Sequence, residues 1–160
     1  MKSLRYLVFA LFALGATVAQ AHDKNAPLTE AQKLFLSQYE SVRAALAADD
    51  LTAAKKAAQA IVASAPPETP AKEGEAKHEG GYIAAAKTLS TADSLESARD
   101  AFKTVSKRAV HLAGNHKGFY HAHCPMVPNE EGDWVQTTKK ISNPYMGKKM
   151  ATCGTIEDEG

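Results

Sequence analysis

Apolar positions recur at helical spacing along most of the chain. Thr29-Glu30-Ala31-Gln32 has the Thr-x-x-Gln form of a capping box, which predicts the start of a helix. Phe35, Tyr39, Val42 and Leu46 then fall on one face of it. Asp49-Asp50 ends that helix and caps a second, in which Leu51, Ala54, Ala58, Ile61 and Val62 oppose Lys55-Lys56. The small alanines allow close approach, so these two helices are expected to form an antiparallel hairpin. Pro66-Pro67-Glu68-Thr69-Pro70 stops the second helix, because proline lacks an amide donor and restricts the residue before it. The run from 66 to 81 reads as an exposed loop containing His78, and Tyr82 to Leu89 as a short third helix. Asp93-Ser94-Leu95-Glu96 caps the longest helix, Leu95 to Ala113, whose seam is Leu95, Ala98, Phe102, Val105, Ala109 and Leu112. Gly114-Asn115 is its stop signal.

After this platform the pattern changes. Gly118 to His123 alternates like a short strand or extended run, placing His121 and His123 on one side and Cys124 on the other. Asn129 to Asp133 is a polar turn, and Trp134-Val135 a possible strand in which Trp134 anchors the segment to the bundle. Asn143-Pro144 reads as an N-cap with proline at the first helical position, and Gly154 as the stop. On that short helix Met146, Met150 and Cys153 would share one face. Lys139-Lys140 and Lys148-Lys149 are expected to be solvated. The fold class expected is therefore all-α: a four-helix bundle-like platform with a C-terminal extended segment and a short helix.

Composition adds an address. Lys2 and Arg5 precede the apolar stretch Leu7 to Ala16 and then Ala19-Gln20-Ala21, the three-part pattern of a secretory signal peptide over residues 1–21. Residues 22–160 then form one helical domain without a membrane anchor, in the periplasm or secreted. Removing Lys2 and Arg5 takes the formal charge from +1 to −1. So balanced a surface offers no electrostatic reason to bind nucleic acid.

The candidate chemistry lies in the last third. His121, His123, Cys124 and Met126 fall within six residues, and the only other cysteine is Cys153. Thiolate, thioether and imidazole donors suit copper(I), silver or zinc rather than magnesium or calcium. The candidate metal ligands are Cys124, Met126, Met150 and Cys153, with His121 and His123 next. In an oxidising compartment the same cysteines could instead form a Cys124–Cys153 disulfide, worth about 3.5 kcal/mol by chain entropy. His111 and His116 flank the end of the longest helix as weaker ligand candidates. His22 would become the N-terminal residue after cleavage and could offer an amine and an imidazole together. No Gly-rich phosphate loop, Cys-x-x-Cys-His haem site or His-Glu-x-x-His zinc motif occurs, and no enzyme activity is expected. Two readings stay open: a metal-binding protein for copper(I), and a disulfide-stapled helical module that binds another protein.

Cys124-Pro125-Met126, Asp133-Trp134, Ile141-Ser142-Asn143-Pro144-Tyr145, Gly147-Lys148, Met150 and Cys153-Gly154 resemble an uncharacterised periplasmic domain of unknown function. That domain is found alone after a signal peptide or appended to CusB-like membrane-fusion proteins of copper and silver efflux systems. Ala47 to Leu51 and Ala54-Lys55 fit its N-terminal part. The resemblance implies an all-α bundle, heavy-metal handling and an efflux or metal-delivery partner. It implies no catalytic activity. Met146 departs from it, standing where the family carries an aromatic residue, and the adaptor barrel and hairpin of those fusion proteins do not accompany the domain here.

Overall fold

The computed structural model describes residues 27–65, 81–113, 116–130 and 132–159. The expected signal peptide, His22, the loop expected over 66–81 up to residue 80, with its His78, and the Gly114-Asn115 stop lie outside the described residues.

Four helices build the platform: α1 (Glu30–Ala47), α2 (Leu51–Ser64), α3 (Gly81–Thr91) and α4 (Leu95–Ala113). Each packs on the next, and α4 returns against α1. The capping box of α1 forms as its sequence predicts: the Thr29 hydroxyl accepts from the Gln32 amide, and the Gln32 side chain accepts from the Thr29 amide. Phe35, Tyr39, Val42 and Leu46 are buried together with Ala54, Ala58, Ile61, Ala98, Phe102, Val105 and Ala109. The expected apolar seams therefore are the core; Leu51, Val62, Leu95 and Leu112 pack at its margin.

Asp49 ends α1 in the left-handed region, at φ 58°. The amide of Asp50 donates to Ala45 O at 2.9 Å and that of Asp49 to Leu46 O at 3.2 Å, the paired bonds of a Schellman turn. Asp50 then caps α2, its carboxylate accepting from the Ala53 amide at 2.9 Å.

The all-α expectation needs correction, because the C-terminal third forms a small antiparallel sheet. Its strands are β1 (Tyr120–His123), β2 (Asp133–Gln136) and β3 (Thr155–Glu159), in the order β2-β1-β3. The molecule is mostly helical with a three-stranded sheet. Ala122 pairs with Trp134 and His123 with Asp133, while β3 joins the other edge of β1 through a register shift at His121/Ala122. Bundle side chains occupy the outer edge of β2. The Tyr39 hydroxyl bonds both the amide and the carbonyl of Val135 at 3.2 Å, and the Ser106 hydroxyl donates to Asp133 O at 2.8 Å. An edge strand's spare amides and carbonyls are thereby used rather than left open to another chain. Burial pushes the Tyr39 phenol well above its ordinary range, so it stays a neutral hydrogen-bonding group.

The aromatic side chains continue this joint. Tyr39 stacks on Phe102 with centroids 5.4 Å apart, Phe102 meets Tyr145 at 5.6 Å, and Tyr145 meets Trp134 at 6.1 Å. Trp134 is fully buried and anchors the segment, as expected from its position. Its indole N–H donates to Gln136 Oε1, and the buried Gln136 amide donates in turn to the carbonyls of Thr138 and Lys140. Among the described residues no buried side-chain nitrogen or oxygen lacks a hydrogen-bond partner. No described helix is long and apolar enough to cross a membrane.

Candidate functional site

The expected helix from Asn143 to Gly154 does not form. Its start is right: Asn143 Oδ1 accepts from the amides of Tyr145 and Met146 at 2.8 and 3.0 Å, an N-cap pattern. One turn later Gly147 adopts φ +55°, which leaves the right-handed helical region. Only a 3₁₀ turn, Gly147–Met150, follows. The single face expected for Met146, Met150 and Cys153 is therefore lost. Met146 packs on the core, Met150 is exposed, and Cys153 sits half-buried at the end of a turn, its own amide donating to Met150 O at 3.0 Å.

Gly147 is glycine for two reasons. Its φ is positive, and a Cβ there would collide with Asp49 Oδ1 and Arg99 Nη2. These two side chains form a latch. Arg99 bonds Asp49 Oδ1 at 2.5 Å, Leu46 O at 2.9 Å and Pro144 O at 2.9 Å, while Asp49 Oδ2 accepts from the Lys148 amide at 3.1 Å. The Arg99 guanidinium, helped by that amide, holds the Asp49 carboxyl below its ordinary range. Arg43 adds a second tie, donating to Ser142 O at 2.7 Å while paired with Glu40. These contacts seat the 142–148 segment on α1 and α4.

From that seat the buried Asn143 reaches the second cysteine, its Nδ2 donating to Cys153 O at 2.8 Å. Gly154 then passes so close to β1 that a Cβ would meet His123 O at 2.7 Å and the Trp134 ring at 2.8 Å. On the other side Cys124 follows β1 directly. Its amide donates to Gly132 O at 3.0 Å and its carbonyl accepts from Val127 at 3.2 Å, closing a turn with Pro125 and Met126 at its tip. The two sulfurs meet 2.9 Å apart. Both are free thiols, Cys124 fully buried and Cys153 half-buried. The Cys124 thiol hydrogen-bonded beside it, and then burial, push the Cys153 thiol above its ordinary range. Met126 and Met150 are exposed, one in the turn after Cys124 and the other in the turn before Cys153.

His121 and His123 do project to one side, as the strand alternation requires. They meet a carboxylate there: Asp133 Oδ1 accepts from His121 Nε2 at 3.0 Å and from His123 Nδ1 at 3.2 Å. All three side chains are part-exposed. Neither imidazole joins the two thiols, since among the described residues no three His, Cys, Asp or Glu side chains are set as a metal-binding group. His111 is exposed and His116 half-buried near the end of α4, and they too belong to no such group. The six expected ligands thus divide into a thiol pair, an imidazole pair and two exposed thioethers.

Sequence reasoning missed Asp133, Arg99 and Asp49. Asp133 was legible as a turn residue and, beside Trp134, as part of the resemblance, but not as the cross-strand partner of His123. Asp49 carried a faint signal, an aspartate where helix ends favour glycine or asparagine.

Residues 35–118 match the family described as Protein of unknown function (DUF3347). The chain belongs to that family. The match spans most of α1 and runs through α4, so the sheet and the thiol pair lie beyond it. No curated protein and no solved structure matches the chain.

Proposed function

We propose that this member of the DUF3347 family is an exported, non-enzymatic soft-metal-binding protein that buffers or delivers copper(I). The observation that carries this reading is the meeting of Cys124 and Cys153, 29 positions apart in sequence, at 2.9 Å. Two thiolates are the donors copper(I) prefers, and thioethers are the next softest the chain has. Met126 and Met150 flank the pair in exposed turns, where an ion or a partner protein reaches them. To hold a tetrahedral ion at Zn–S distances of about 2.3 Å, the sulfurs would separate to roughly 3.8 Å. Half-buried Cys153, on a turn, is the group free to make that adjustment. Silver(I) suits the same donors, and zinc suits the thiols. The signal-peptide pattern supports a periplasmic or secreted location, and the resemblance to domains appended to CusB-like proteins supports an efflux or metal-delivery partner. The raised Cys153 thiol is the opposite of an activated nucleophile, and a metal must displace its proton to bind, so affinity is expected to fall as pH falls.

A second reading is favoured by the same distance. Sulfurs this close need little movement to bond, and a Cys124–Cys153 disulfide would staple the start of β3 to the end of β1 in a protein-interaction module.

Anaerobic copper(I) titration against a competing chelator, on wild type and Cys124→Ser, tests the first reading. Wild type is expected to hold one equivalent at least tenfold more tightly than the variant. Equal affinity would sink the thiol-centred site. Thiol counting on protein isolated without reductant decides the second: two free thiols exclude the staple.

A further inference from the structure

We propose that His121, His123 and Asp133 form a second metal site, independent of the thiols, that takes a divalent cation of the zinc(II) type. Two imidazoles and a carboxylate are nitrogen and oxygen donors, suited to zinc(II), nickel(II) or copper(II) rather than to a soft monovalent ion. Their placement is that of a chelate. His121 and His123 are next-but-one neighbours on β1, sharing a face, and Asp133 is the direct cross-strand partner of His123.

The decisive geometry is convergence. His121 Nε2 and His123 Nδ1 both point at one atom, Asp133 Oδ1, at 3.0 and 3.2 Å. Around an ion with metal–nitrogen and metal–oxygen distances of about 2.1 Å, donors separated by those lengths subtend roughly 90–100°. Those spacings are also ordinary hydrogen-bond lengths, so what they establish is that three nitrogen and oxygen donors gather at one point on the sheet. As it stands the trio is a hydrogen-bonded cluster, not a coordination sphere. Loading requires the Asp133 carboxylate to turn aside and the two rings to close on the ion. Both movements are open to side chains that are 21%, 29% and 37% exposed for His121, His123 and Asp133. The backbone behind them is fixed, since Asp133 O accepts from the Ser106 hydroxyl at 2.8 Å and from the Tyr145 hydroxyl at 2.6 Å. With the strand held from behind, side-chain rotation is the only movement that loading has to make. A neutral imidazole carries one N–H, so ligation through His121 Nε2 and His123 Nδ1 requires each ring to hold its proton on the other nitrogen, His121 Nδ1 and His123 Nε2.

The test is Zn²⁺ titration by calorimetry of the full chain carrying Cys124→Ser and Cys153→Ser, with folding checked by circular dichroism. One equivalent is expected to bind. Adding His121→Gln or His123→Gln is expected to weaken it at least tenfold, and Asp133→Asn by a similar factor. If the serine background does not fold, the wild-type chain oxidised to its Cys124–Cys153 disulfide replaces it. Paramagnetic broadening by Ni²⁺ of the ring protons of His121 and His123, ahead of the other histidines, gives an independent readout. Absence of Zn²⁺ binding in the thiol-free protein overturns the proposal. So does binding that survives loss of both histidines. Because no thiol is available in either background, these outcomes are separate from the fate of the copper(I) reading.

Discussion

At the residue scale, the cysteine geometry rests on three side chains that carry no soft donor. Asn143 makes three hydrogen bonds from a fully buried position, two to amides that open the Tyr145 turn and one to Cys153 O. Asn143→Ala leaves those groups short of partners and is expected to cost about 2–3 kcal/mol, measured by urea denaturation. It should also loosen Cys153, seen as faster alkylation of that thiol. Gly147→Ala meets both a positive φ and the Asp49–Arg99 pair, so a loss of about 1–3 kcal/mol is expected in the same assay. Asp49 gives the latch a pH dependence. Its folded-state pKa lies below the unfolded carboxylate value near 3.9, so its stabilisation is present above that value. It is lost as pH falls through the folded pKa. The stability difference between wild type and Asp49→Asn is therefore expected to be constant near neutrality and to shrink below about pH 4. A difference unchanged down to pH 2 would show that the ion pair contributes nothing.

At the element scale, the joint between bundle and sheet is the part to test. Tyr39→Phe removes a hydroxyl that bonds Ser106 and both polar groups of Val135. With Val135 buried, a loss of about 1–3 kcal/mol is expected, with β2 amides losing hydrogen-exchange protection more than α2 amides. The helices were the legible part of this chain. Their caps and seams are local, written in Thr29, Asp50 and the spacing of Phe35 through Leu46. The extended run at Tyr120–His123 and the anchoring role of Trp134 were also readable, because alternation and a lone large aromatic side chain are local signals too. The sheet as a whole was not, since β3 is a short polar strand, Thr155-Ile156-Glu157-Asp158-Glu159, with no apolar alternation to announce it. The helix expected after Asn143 failed for a related reason. Its cap and its methionine spacing are real, but Gly147 turns left-handed to clear Asp49 and Arg99, which are nearly a hundred and about fifty residues away. A tertiary contact overrode a local pattern. The split between the imidazoles and Cys124 was legible in the strand alternation, whereas the carboxylate that the imidazoles meet, Asp133, comes from a neighbouring strand.

At the scale of the whole molecule, the family match over residues 35–118 covers most of the platform, while every candidate ligand from His121 onward lies beyond it, on the sheet or in the turns that join its strands. The face of α1 and α4 under that sheet carries Tyr39, Phe102, Val105 and Ser106, all buried by it and by neighbouring helices. A chain ending at residue 118 is therefore expected to keep helical circular dichroism, lose several kcal/mol of stability and bind a hydrophobic dye, because its apolar face is uncovered. The full burial of Cys124 has a kinetic consequence. A reagent cannot reach that sulfur unless the sheet parts from its surroundings, so its rate of alkylation counts opening events. With excess reagent and fast reclosing, the ratio of that rate to a small-molecule thiol's gives the opening equilibrium directly. Repeated on Tyr39→Phe, Asn143→Ala and Asp49→Asn, the same clock would show whether the sheet lifts alone or only when the helices come apart.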